Sequence, residues 1–558
     1  MLDKSFLVVI ETQRVKSCLF ASAILRETRG ASLLLDRLNR SETDKLFGKT
    51  SGEKVYLGGG SGRILFGAKD EAETFAQQVR DLYRRETANA RVSVAVVERA
   101  TGESFPDWMA RGVRESQKNK LAQTEAIPLL AGRWIRPCSS CGVAPAEKEP
   151  PVDIQGSHYL CDACFKKRNE IRDFYSEIKR NRDAHIPLNK NKLRNEWRDF
   201  ILTTLMESIE QRFGNAIHTL VPQDLSQIAD HSRPRNYIGF IYADGNRMGE
   251  TIKNMGKQFP RDEEVKQVYK AFSAITDEAT RKAAVQAVLN TLTVIDETTP
   301  RCEAARFVPA EFILAGGDDL ILVVPAHAAL QVAARFISLF QELSKRLQEK
   351  WIQEGNLTTR FAKDGLTISA GVVIAHASYP ASQLMDLAGD LMKLAKRKAA
   401  DLAQKDRIEG TLDFVVLHTS GTERIKERRK SEYSRSVNGR KVCLTERPYT
   451  TAETFRLLEL IRGLKDSDVP RTKLKALYPV LFQSVMQSQF DALRIKERLK
   501  ATGTLEKSPV LQDLVKELNV FPFRDDHGTW TTPLSELIEL YDFVSADSVI
   551  TSQGASDA

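Results

Sequence analysis

Two short acidic turns carry the residues with the clearest potential for chemistry in this sequence. The first, GGDD at residues 316–319, lies between two apolar segments rich in β-branched residues. The second, DGNRMG at residues 244–249, comes just after another apolar segment, YIGFIY. Glycine and aspartate are also common in plain surface turns, because glycine tolerates positive φ and aspartate hydrogen-bonds its own backbone. If that is their only role, other polar residues would serve equally well.

A metal site is the chemical alternative for the two turns. In a ferredoxin-like sheet the first strand and the central hairpin are neighbours, which would place Asp244 beside Asp318 and Asp319. Three crowded carboxylates repel one another unless a cation neutralises them, and hard oxygen ligands favour Mg²⁺ or Mn²⁺. Two such ions can activate a ribose 3′-hydroxyl and stabilise the leaving pyrophosphate in nucleotidyl transfer. We therefore predict that Asp244, Asp318 and Asp319 are catalytic metal ligands.

A nucleotidyl transfer site also needs residues that bind the nucleotide. Glycine at positions 316 and 317 would let a nucleotide approach the backbone closely. Lysines at 393 and 396 follow the last strand of the same unit and could reach a triphosphate, although a basic exposed helix face explains them equally well. The predicted nucleotide-binding residues are Gly245, Asn246, Gly249, Gly316, Gly317, Lys393 and Lys396.

Four of the seven cysteines form two close pairs. Two residues separate Cys138 from Cys141 and Cys161 from Cys164, and 19 residues lie between the pairs. This spacing is typical of four thiolates that bind Zn²⁺ tetrahedrally. Such a closed site leaves no coordination position for a substrate, so the predicted role is to stabilise a region poor in apolar residues.

The hydrophobic pattern predicts the elements that would position these turns. It gives the order βαββαβ twice, which indicates two ferredoxin-like units. For the first unit we predict strands at 6–10, 54–57, 63–66 and 92–97 and helices at 18–38 and 71–85. For the second unit we predict strands at 237–242, 311–314, 320–324 and 366–375 and helices at 328–348 and 381–402. The glycine turn of the first unit, GGGSG at 58–62, has no acids, which indicates a degenerate copy.

Composition limits the function classes only broadly. The 558 residues are 42% hydrophobic and 28% charged, and no apolar run approaches the roughly 20 residues that span a bilayer. No secretory signal is visible at the N-terminus, so we expect a cytoplasmic protein without membrane contact. The net charge of +8 is compatible with polyanion contacts. The basic segment 423–441 could contact RNA phosphates or could be a solvated helix and loop.

These parts occur in an order that resembles a known family. GGDD, DGNRMG, a degenerate first copy, a four-cysteine insert and a helical C-terminal region are together similar to the large palm-domain subunit of type III CRISPR-Cas effector complexes. In that family the GGDD palm makes cyclic oligoadenylates from ATP when the complex binds target RNA. The resemblance implies ATP as substrate, Mg²⁺ or Mn²⁺ at the acids and structural Zn²⁺ at the cysteines. It also implies guide RNA, target RNA and other CRISPR effector subunits as partners.

The expected fold class is α+β, with two ferredoxin-like palm domains that resemble nucleotide cyclases. We expect a first palm-like domain without catalytic acids at 1–125 and a zinc-binding and helical insert at 126–230. The second palm, with GGDD, is expected at 231–412, and a helical C-terminal domain at 413–558.

Two departures from the family pattern matter. The first-strand motif often reads D-G-D, whereas this chain has Asn246, which offers only a neutral oxygen, so one ligand charge is lost. Many members begin with a histidine-aspartate nuclease domain, whereas this chain starts at the first palm strand and contains no His-Asp dipeptide. We therefore expect no DNA cleavage by this subunit.

Two other functions remain open from the sequence. A scaffold subunit with an impaired palm would bind RNA and neighbouring subunits without catalysis, which Asn246 supports. A stand-alone defence or signalling protein with the same palm would make another product, such as a cyclic dinucleotide. The three functions differ in whether product forms with the isolated chain, only with the complex and target RNA, or not at all.

Overall fold

Two sheets with the same central strand order dominate the computed structural model of this chain. The structure describes residues 5–544 except for 23, 88–89, 123–133, 150–158, 184–221, 223, 260, 300–301, 419–424, 438, 467–469 and 527. Much of the insert expected at 126–230, and the polar C-terminal tail, therefore lie outside the described residues. Among the residues that are described, no helix has both the length and the apolar character needed to cross a membrane.

The first sheet has the order β2-β3-β1-β4, which is that of a ferredoxin-like unit. Its strands are β1 (Phe6–Gln13), β2 (Glu53–Gly58), β3 (Ser61–Phe66) and β4 (Arg91–Glu98). Its helices are α1 (Val15–Leu19), α2 (Leu25–Arg37), α3 (Thr43–Phe47), α4 (Lys69–Glu86) and α5 (Phe105–Ala122), and a π-helical turn (Leu38–Glu42) joins α2 to α3. Helix α4 buries Phe75, Val79 and Leu82, which lie at helical spacing on one face.

The helix predicted at 18–38 is in fact two helices, α1 and α2. The Ser22 hydroxyl accepts a hydrogen bond from the amide of Ile24 at 3.0 Å, and Ile24 is extended, with φ −83° and ψ 117°. A serine that bonds a nearby amide competes with the helical hydrogen-bond pattern. The break separates α2 from α1, whose Cys18 packs in one apolar cluster with Phe240 of the second unit.

The second sheet repeats the order as β8-β9-β5-β10 and continues beyond β10. The helices of the insert that precede it are α6 (Asp162–Asp183) and α7 (Leu225–Asp230). The next strands are β5 (Tyr237–Gly245), β6 (Ile295–Thr299), β7 (Cys302–Phe307), β8 (Glu311–Gly316), β9 (Asp319–Pro325), β10 (Ile368–His376) and β11 (Thr411–Val416). The helices of this unit are α8 (Met248–Gln258), α9 (Asp262–Leu289), α10 (Ala329–Gln353) and α11 (Ala381–Ala403). Strands β6 and β7 form a separate hairpin.

The two faces of the second sheet pack against different helices. One face, with Ile241 and Leu322, belongs to the same apolar cluster as α9 and α10. The other face, with Phe240 and Val323, packs with α11. Because side chains alternate along a strand, Asp244 of β5 lies on the α11 face.

The C-terminal region contains strands as well as the expected helices. Its helices are α12 (Ile425–Glu432), α13 (Thr451–Asp466), α14 (Arg471–Leu481), α15 (Val485–Ala501), α16 (Thr504–Lys507), α17 (Pro509–Glu517) and α18 (Leu534–Leu540). Its strands are β12 (Ser434–Val437), β13 (Arg440–Cys443), β14 (Tyr449–Thr450), β15 (Arg524–Asp526) and β16 (Thr529–Thr531). These strands are too short to show an alternating pattern in the sequence. The α+β class with two ferredoxin-like sheets is confirmed, and β11 next to β10 spans the boundary expected at 412.

Close packing of β10 on α11 gives a test of the fold. A Cβ at Gly371 would lie 2.0 Å from the carbonyl oxygen of Ala388, so Gly371→Ala should lower the free energy of unfolding by about 1–3 kcal/mol, as measured by chemical denaturation. Gly249→Ala is the control, because no atom lies within 4 Å of the new Cβ. The control should change stability by at most about 1 kcal/mol, and equal stability of both variants would contradict the packing.

Candidate functional site

The ends of two neighbouring strands bring the acidic turns together. β5 pairs antiparallel with β9, and the register places Asp244 and Asp319 at adjacent ends of the two strands. The β8–β9 hairpin closes with Gly316 opposite Asp319, so its turn consists of Gly317 and Asp318. The structure thus brings Asp244, Asp318 and Asp319, called the acidic cluster below, to one end of the second sheet.

Asp318 lies against the backbone of the DGNRMG turn. A Cβ at Gly245 would be 2.7 Å from Asp318 Oδ2, so a larger residue at 245 would displace this carboxylate. The amides of Gly245 and of Asp318 itself hydrogen-bond to the carboxylate. Burial, followed by the charge of Asp244, still raises the pKa of Asp318 above its ordinary value. The protein therefore compensates the charge of this carboxylate only in part.

Asp319 is buried beside the other two acids of the cluster. Burial, with added repulsion from Asp318 and then Asp244, raises the pKa of Asp319 to about 8. Its Oδ1 accepts a hydrogen bond from the Tyr242 hydroxyl at 3.2 Å, which offsets only part of this shift. Without a cation, the carboxyl group of Asp319 therefore keeps its proton to a much higher pH than an ordinary aspartate does.

Asp244 has a cationic partner on α11. Lys396 Nζ lies 2.8 Å from Asp244 Oδ2, and both side chains are about three-tenths exposed. Lys393, by contrast, pairs with Asp390 of the same helix at 3.0 Å, and its side chain is largely exposed. The structure therefore brings Lys396 into direct contact with the acidic cluster and leaves Lys393 in a surface ion pair.

A lysine of the first unit also reaches this site. Lys16, on α1, places Nζ 4.6 Å from the centroid of the Tyr242 ring. Burial lowers the pKa of Lys16, and the charge of Asp319 opposes this shift. The sequence analysis missed Lys16 because a short helix with one lysine has no motif, and only the packing of the two units brings it here. Its ammonium group adds a contact suited to phosphate.

The glycine turn of the first unit directly contacts the turn of GGDD. A Cβ at Gly59 would lie 3.2 Å from the Cα of Gly317. Both residues have positive φ, 58° and 62°, which glycine adopts without steric cost. A side chain at Gly316 would meet Arg40 and Asp277 within 3.6 Å. Gly316 and Gly317 therefore both lie against residues of the first unit, Arg40 and Gly59. Their contact with a nucleotide stays a prediction.

Asn246 lines a cavity of about 400 Å³ next to the acidic cluster. Its Nδ2 donates a hydrogen bond to Thr367 Oγ1 at 3.2 Å, whereas its buried Oδ1 has no hydrogen-bond partner. A buried carbonyl oxygen without a donor is unfavourable, so this atom is suited to a ligand donor or a cation. A Cβ at Gly249, on α8, would meet no atom of another element within 4 Å. Other residues that line the cavity are Arg247, Phe361, Lys363 and Lys396.

The acidic cluster has the ligand chemistry that Mg²⁺ or Mn²⁺ prefers, namely hard carboxylate oxygens that lack full charge compensation. Its oxygens do not converge as tightly as a bound ion requires. Within the described part of the chain, only the four cysteines form a group of three or more candidate ligands whose atoms all lie within 4.8 Å of one another. The three carboxylates are therefore suitable ligands for Mg²⁺ or Mn²⁺. To bind such an ion, Asp244 would have to give up its ion pair with Lys396.

The four cysteines of the insert could hold a zinc ion. The ligand atoms of Cys138, Cys141, Cys161 and Cys164 lie within 4.8 Å of one another, and the sulfurs of Cys141 and Cys161 are 3.9 Å apart. Three of the four residues are buried. Four sulfur donors suit Zn²⁺ and leave no open coordination position, as expected of a structural site.

The basic segment expected at 423–441 is partly engaged inside the protein. Arg429 Nη2 donates to Asp413 at 2.7 Å, and Arg435 donates to the carbonyl oxygen of Leu481 at 3.1 Å. Residues 423–424 and 438 lie outside the described residues. Contact of this segment with RNA stays a prediction.

Comparison with known proteins agrees with this architecture. Residues 237–409 match the model of the second palm domain of the Cas10/Cmr2 family. No curated protein matches the sequence. This match confirms, for the second palm domain, the resemblance to the Cas10-like family that the sequence indicated.

Solved structures resemble nearly the whole chain. A chain of the Csm1–Csm4 cassette in complex with cA4 matches with a TM-score of 0.51 and 12% identity. The cassette in complex with cA3 gives 0.50 and 13%, and the one in complex with pppApA gives 0.50 and 12%. Each match covers 97% of this chain and 70% of the other. At this identity the likeness establishes the fold.

The raised pKa of Asp319 predicts a pH-dependent stability in buffer without Mg²⁺ or Mn²⁺. Because folding raises this pKa from 3.8 to about 8, the folded state keeps a proton that the unfolded state has lost, so the contribution of Asp319 to stability decreases as pH rises through this range. Asp319→Asn removes this dependence and should stabilise the protein above pH 7 by on the order of 1–3 kcal/mol. Thermal unfolding of the wild type and of Asp319→Asn at several pH values measures this difference in stability. Identical pH profiles of the two proteins would contradict the raised pKa of Asp319.

Zinc removal should destabilise the insert. We expect about one zinc per chain by metal analysis and a decrease of several degrees in Tm when a zinc chelator removes it, because structural zinc contributes directly to folding free energy. Cys164→Ser should lose the metal, whereas Cys443→Ser, outside the cluster, should keep it. Full zinc content in Cys164→Ser would contradict the assignment.

Proposed function

We propose that this chain is the catalytic large subunit of a type III CRISPR effector complex and makes cyclic oligoadenylates from ATP when the complex binds target RNA. The observation that carries the proposal is the acidic cluster at the end of one palm sheet, with Lys396 of its own unit and Lys16 of the other close by. Carboxylates under mutual repulsion next to ammonium groups suit a metal-bound polyphosphate better than a neutral ligand.

The residues of the site have distinct roles in this reaction. Mg²⁺ or Mn²⁺ held by the acidic cluster would activate a ribose 3′-hydroxyl and stabilise the leaving pyrophosphate. Both hairpin acids bind a cation as carboxylates, and burial raises the pKa of each, so cation binding favours the release of the proton that Asp319 holds. Lys396 would leave Asp244 and pair with phosphate oxygens. Lys16 would supply a second positive charge from the side of Tyr242.

The cavity beside Lys396 can hold part of a nucleotide. Its volume of about 400 Å³ is within the range of small-molecule sites, and Phe361 gives it an apolar wall. The buried Oδ1 of Asn246 has no donor, and the exocyclic amino group of adenine would supply one. Asn246 would thus contribute to binding although it lacks the charge of an aspartate.

The similar structures favour the same class of reaction and partner. They were solved as Csm1–Csm4 cassettes in complex with cA4, cA3 and pppApA. For this chain we take them as support for an adenine-containing product and for association with other effector subunits. Guide and target RNA would reach it through those subunits, in the cytoplasm.

A scaffold subunit is the second candidate, and one observation favours it. Lys396 already pairs with Asp244, and the acidic cluster does not converge on a single point. If this pair persists in the assembled complex, the palm would be inactive. The chain would then only bind RNA and neighbouring subunits.

Labelled ATP separates these functions. The purified chain, alone and in the complex with guide and target RNA, is incubated with labelled ATP and Mg²⁺ or Mn²⁺. We expect cyclic product only from the complex with target RNA. Product from the isolated chain would indicate a stand-alone synthase, and no product under any condition would indicate the scaffold.

Replacement of the hairpin acids tests the assignment of the site. The double variant Asp318→Ala, Asp319→Ala should lower the rate of product formation by at least about 100-fold, because the charge that holds the metal is lost. Asp513→Ala is the matched control, since Asp513 lies on an exposed face of α17 near Lys516. Normal activity of the double variant would exclude this site.

A further inference from the structure

The strand that leads into GGDD is an edge strand in the described part of the chain, and α2 of the first unit covers it. Arg29 of α2 forms an ion pair with Glu311 of β8, and both side chains are buried. One turn further along α2, Ser32 donates a hydrogen bond to the carbonyl oxygen of Ile313 at 2.5 Å. Contacts from the first unit therefore fix the position of this strand.

The π-helical turn after α2 extends this contact to the hairpin itself. Arg40 Nη2 pairs with Asp277 of α9 at 2.8 Å, and Arg40 Nε pairs with Asp36 at 2.8 Å. The carboxylate of Asp277 also accepts the amide hydrogen of Gly317 at 2.9 Å. One carboxylate thus connects Arg40 to the backbone of the GGDD turn.

Helix α9 holds this turn at two points. Thr280, one turn after Asp277, donates a hydrogen bond to the carbonyl oxygen of Gly317 at 2.6 Å. Burial alone would raise the pKa of Asp277, but the charges of Arg40 and Arg281 lower it. Asp277 therefore stays ionised and accepts a strong, charge-assisted hydrogen bond from the turn.

Helix α2 also contacts the zinc-binding insert. Glu27 pairs with Arg168 of α6 at 2.6 Å and accepts a hydrogen bond at 2.6 Å from Ser140, which lies between two of the cysteines in sequence. Arg37 pairs with Glu170 of α6 at 2.9 Å. The insert therefore supports the same helix whose end carries Arg40 into the site.

We propose that Arg40 is a positioning residue for nucleotidyl transfer, which acts through Asp277 on the Gly317 peptide and so fixes Asp318 and Asp319 where they can share a cation. The part of this proposal that concerns a cation rests on the proposed function. The contact of Arg40 and Asp277 with the Gly317 turn does not depend on that function. A misplacement of about 1 Å at a reacting centre can cost about 100-fold in rate, so a small shift of the turn matters.

Arg40→Gln tests the proposal in the full-length protein, because it removes the charge from the first unit that pairs with Asp277 and leaves Arg281 of α9, at 2.8 Å, as its cationic partner. We expect the affinity of the acidic cluster for Mn²⁺, measured by electron paramagnetic resonance, to fall about tenfold. Hydrogen exchange of the peptide that covers residues 311–325 should become at least about tenfold faster. In the RNA-bound complex kcat should fall with little change in KM for ATP, and Arg40→Lys should restore part of each loss.

Two further variants separate positioning from general stabilisation. Arg99→Gln is the matched control, because Arg99 pairs with Asp262 at 2.6 Å and so joins the first unit to the N-terminal end of α9, away from Asp277. It should leave Mn²⁺ affinity and exchange of the hairpin within about twofold of the wild type. Asp277→Asn loses the ion pair with Arg40 and offers the amide of Gly317 only a weaker, neutral acceptor, so it should cause the same changes as Arg40→Gln. The two effects should not add in the double variant, since both act through one contact.

The outcomes distinguish this proposal from the proposed function. Wild-type Mn²⁺ affinity and wild-type exchange in Arg40→Gln would overturn the positioning role. If the wild type itself binds no Mn²⁺, the proposed function fails, and faster exchange of the hairpin in Arg40→Gln would still support the contact. If Arg40→Gln does not fold, the same two changes are expected in Asp277→Asn, and their absence there would also overturn the proposal.

Discussion

Repulsion between buried carboxylates is the constraint on which the rest of this structure depends. Strand pairing and a tight hairpin hold Asp244, Asp318 and Asp319 at one end of a sheet, where burial and mutual charge raise the pKa of the two hairpin acids. Such an arrangement weakens folding at neutral pH, so its presence points to a ligand that restores the charge balance. Lys16 and Lys396 provide part of the positive charge that offsets these carboxylates, and a divalent cation would provide the rest.

The two units share a topology but have different roles at the site. The second unit supplies the acids, whereas the first supplies contacts that hold them: the Gly59 turn against Gly317, the side chain of Lys16, and a helix that covers the edge strand. These contacts need no acids in the first unit, because they depend on backbone shape and on single cationic side chains. The insert that carries the four cysteines contacts the same helix through the ion pair of Arg168 with Glu27.

Much of the fold could be predicted from the sequence, because apolar residues alternate along the strands and recur at helical spacing along the helices, and these residues are the buried ones. The strand order then placed Asp244 beside the hairpin, and the cysteine spacing identified the four residues that cluster in the insert. Lys16 and Arg40 could not be found in this way, since single charged residues carry no pattern and reach the site only through packing between the units. The break at Ser22 and the short C-terminal strands depend on local hydrogen bonds and long-range pairing, which periodicity does not encode.

The most direct test of the central claim is the position of manganese in a crystal of the protein with Mn²⁺ and a non-hydrolysable ATP analogue. Anomalous scattering should show manganese within about 2.0–2.3 Å of oxygens of Asp244, Asp318 and Asp319, as expected for hard oxygen ligands. Lys396 should then contact phosphate. An intact pair between Lys396 and Asp244, with no manganese at these aspartates or with the nucleotide bound elsewhere, would contradict the charge-balance explanation.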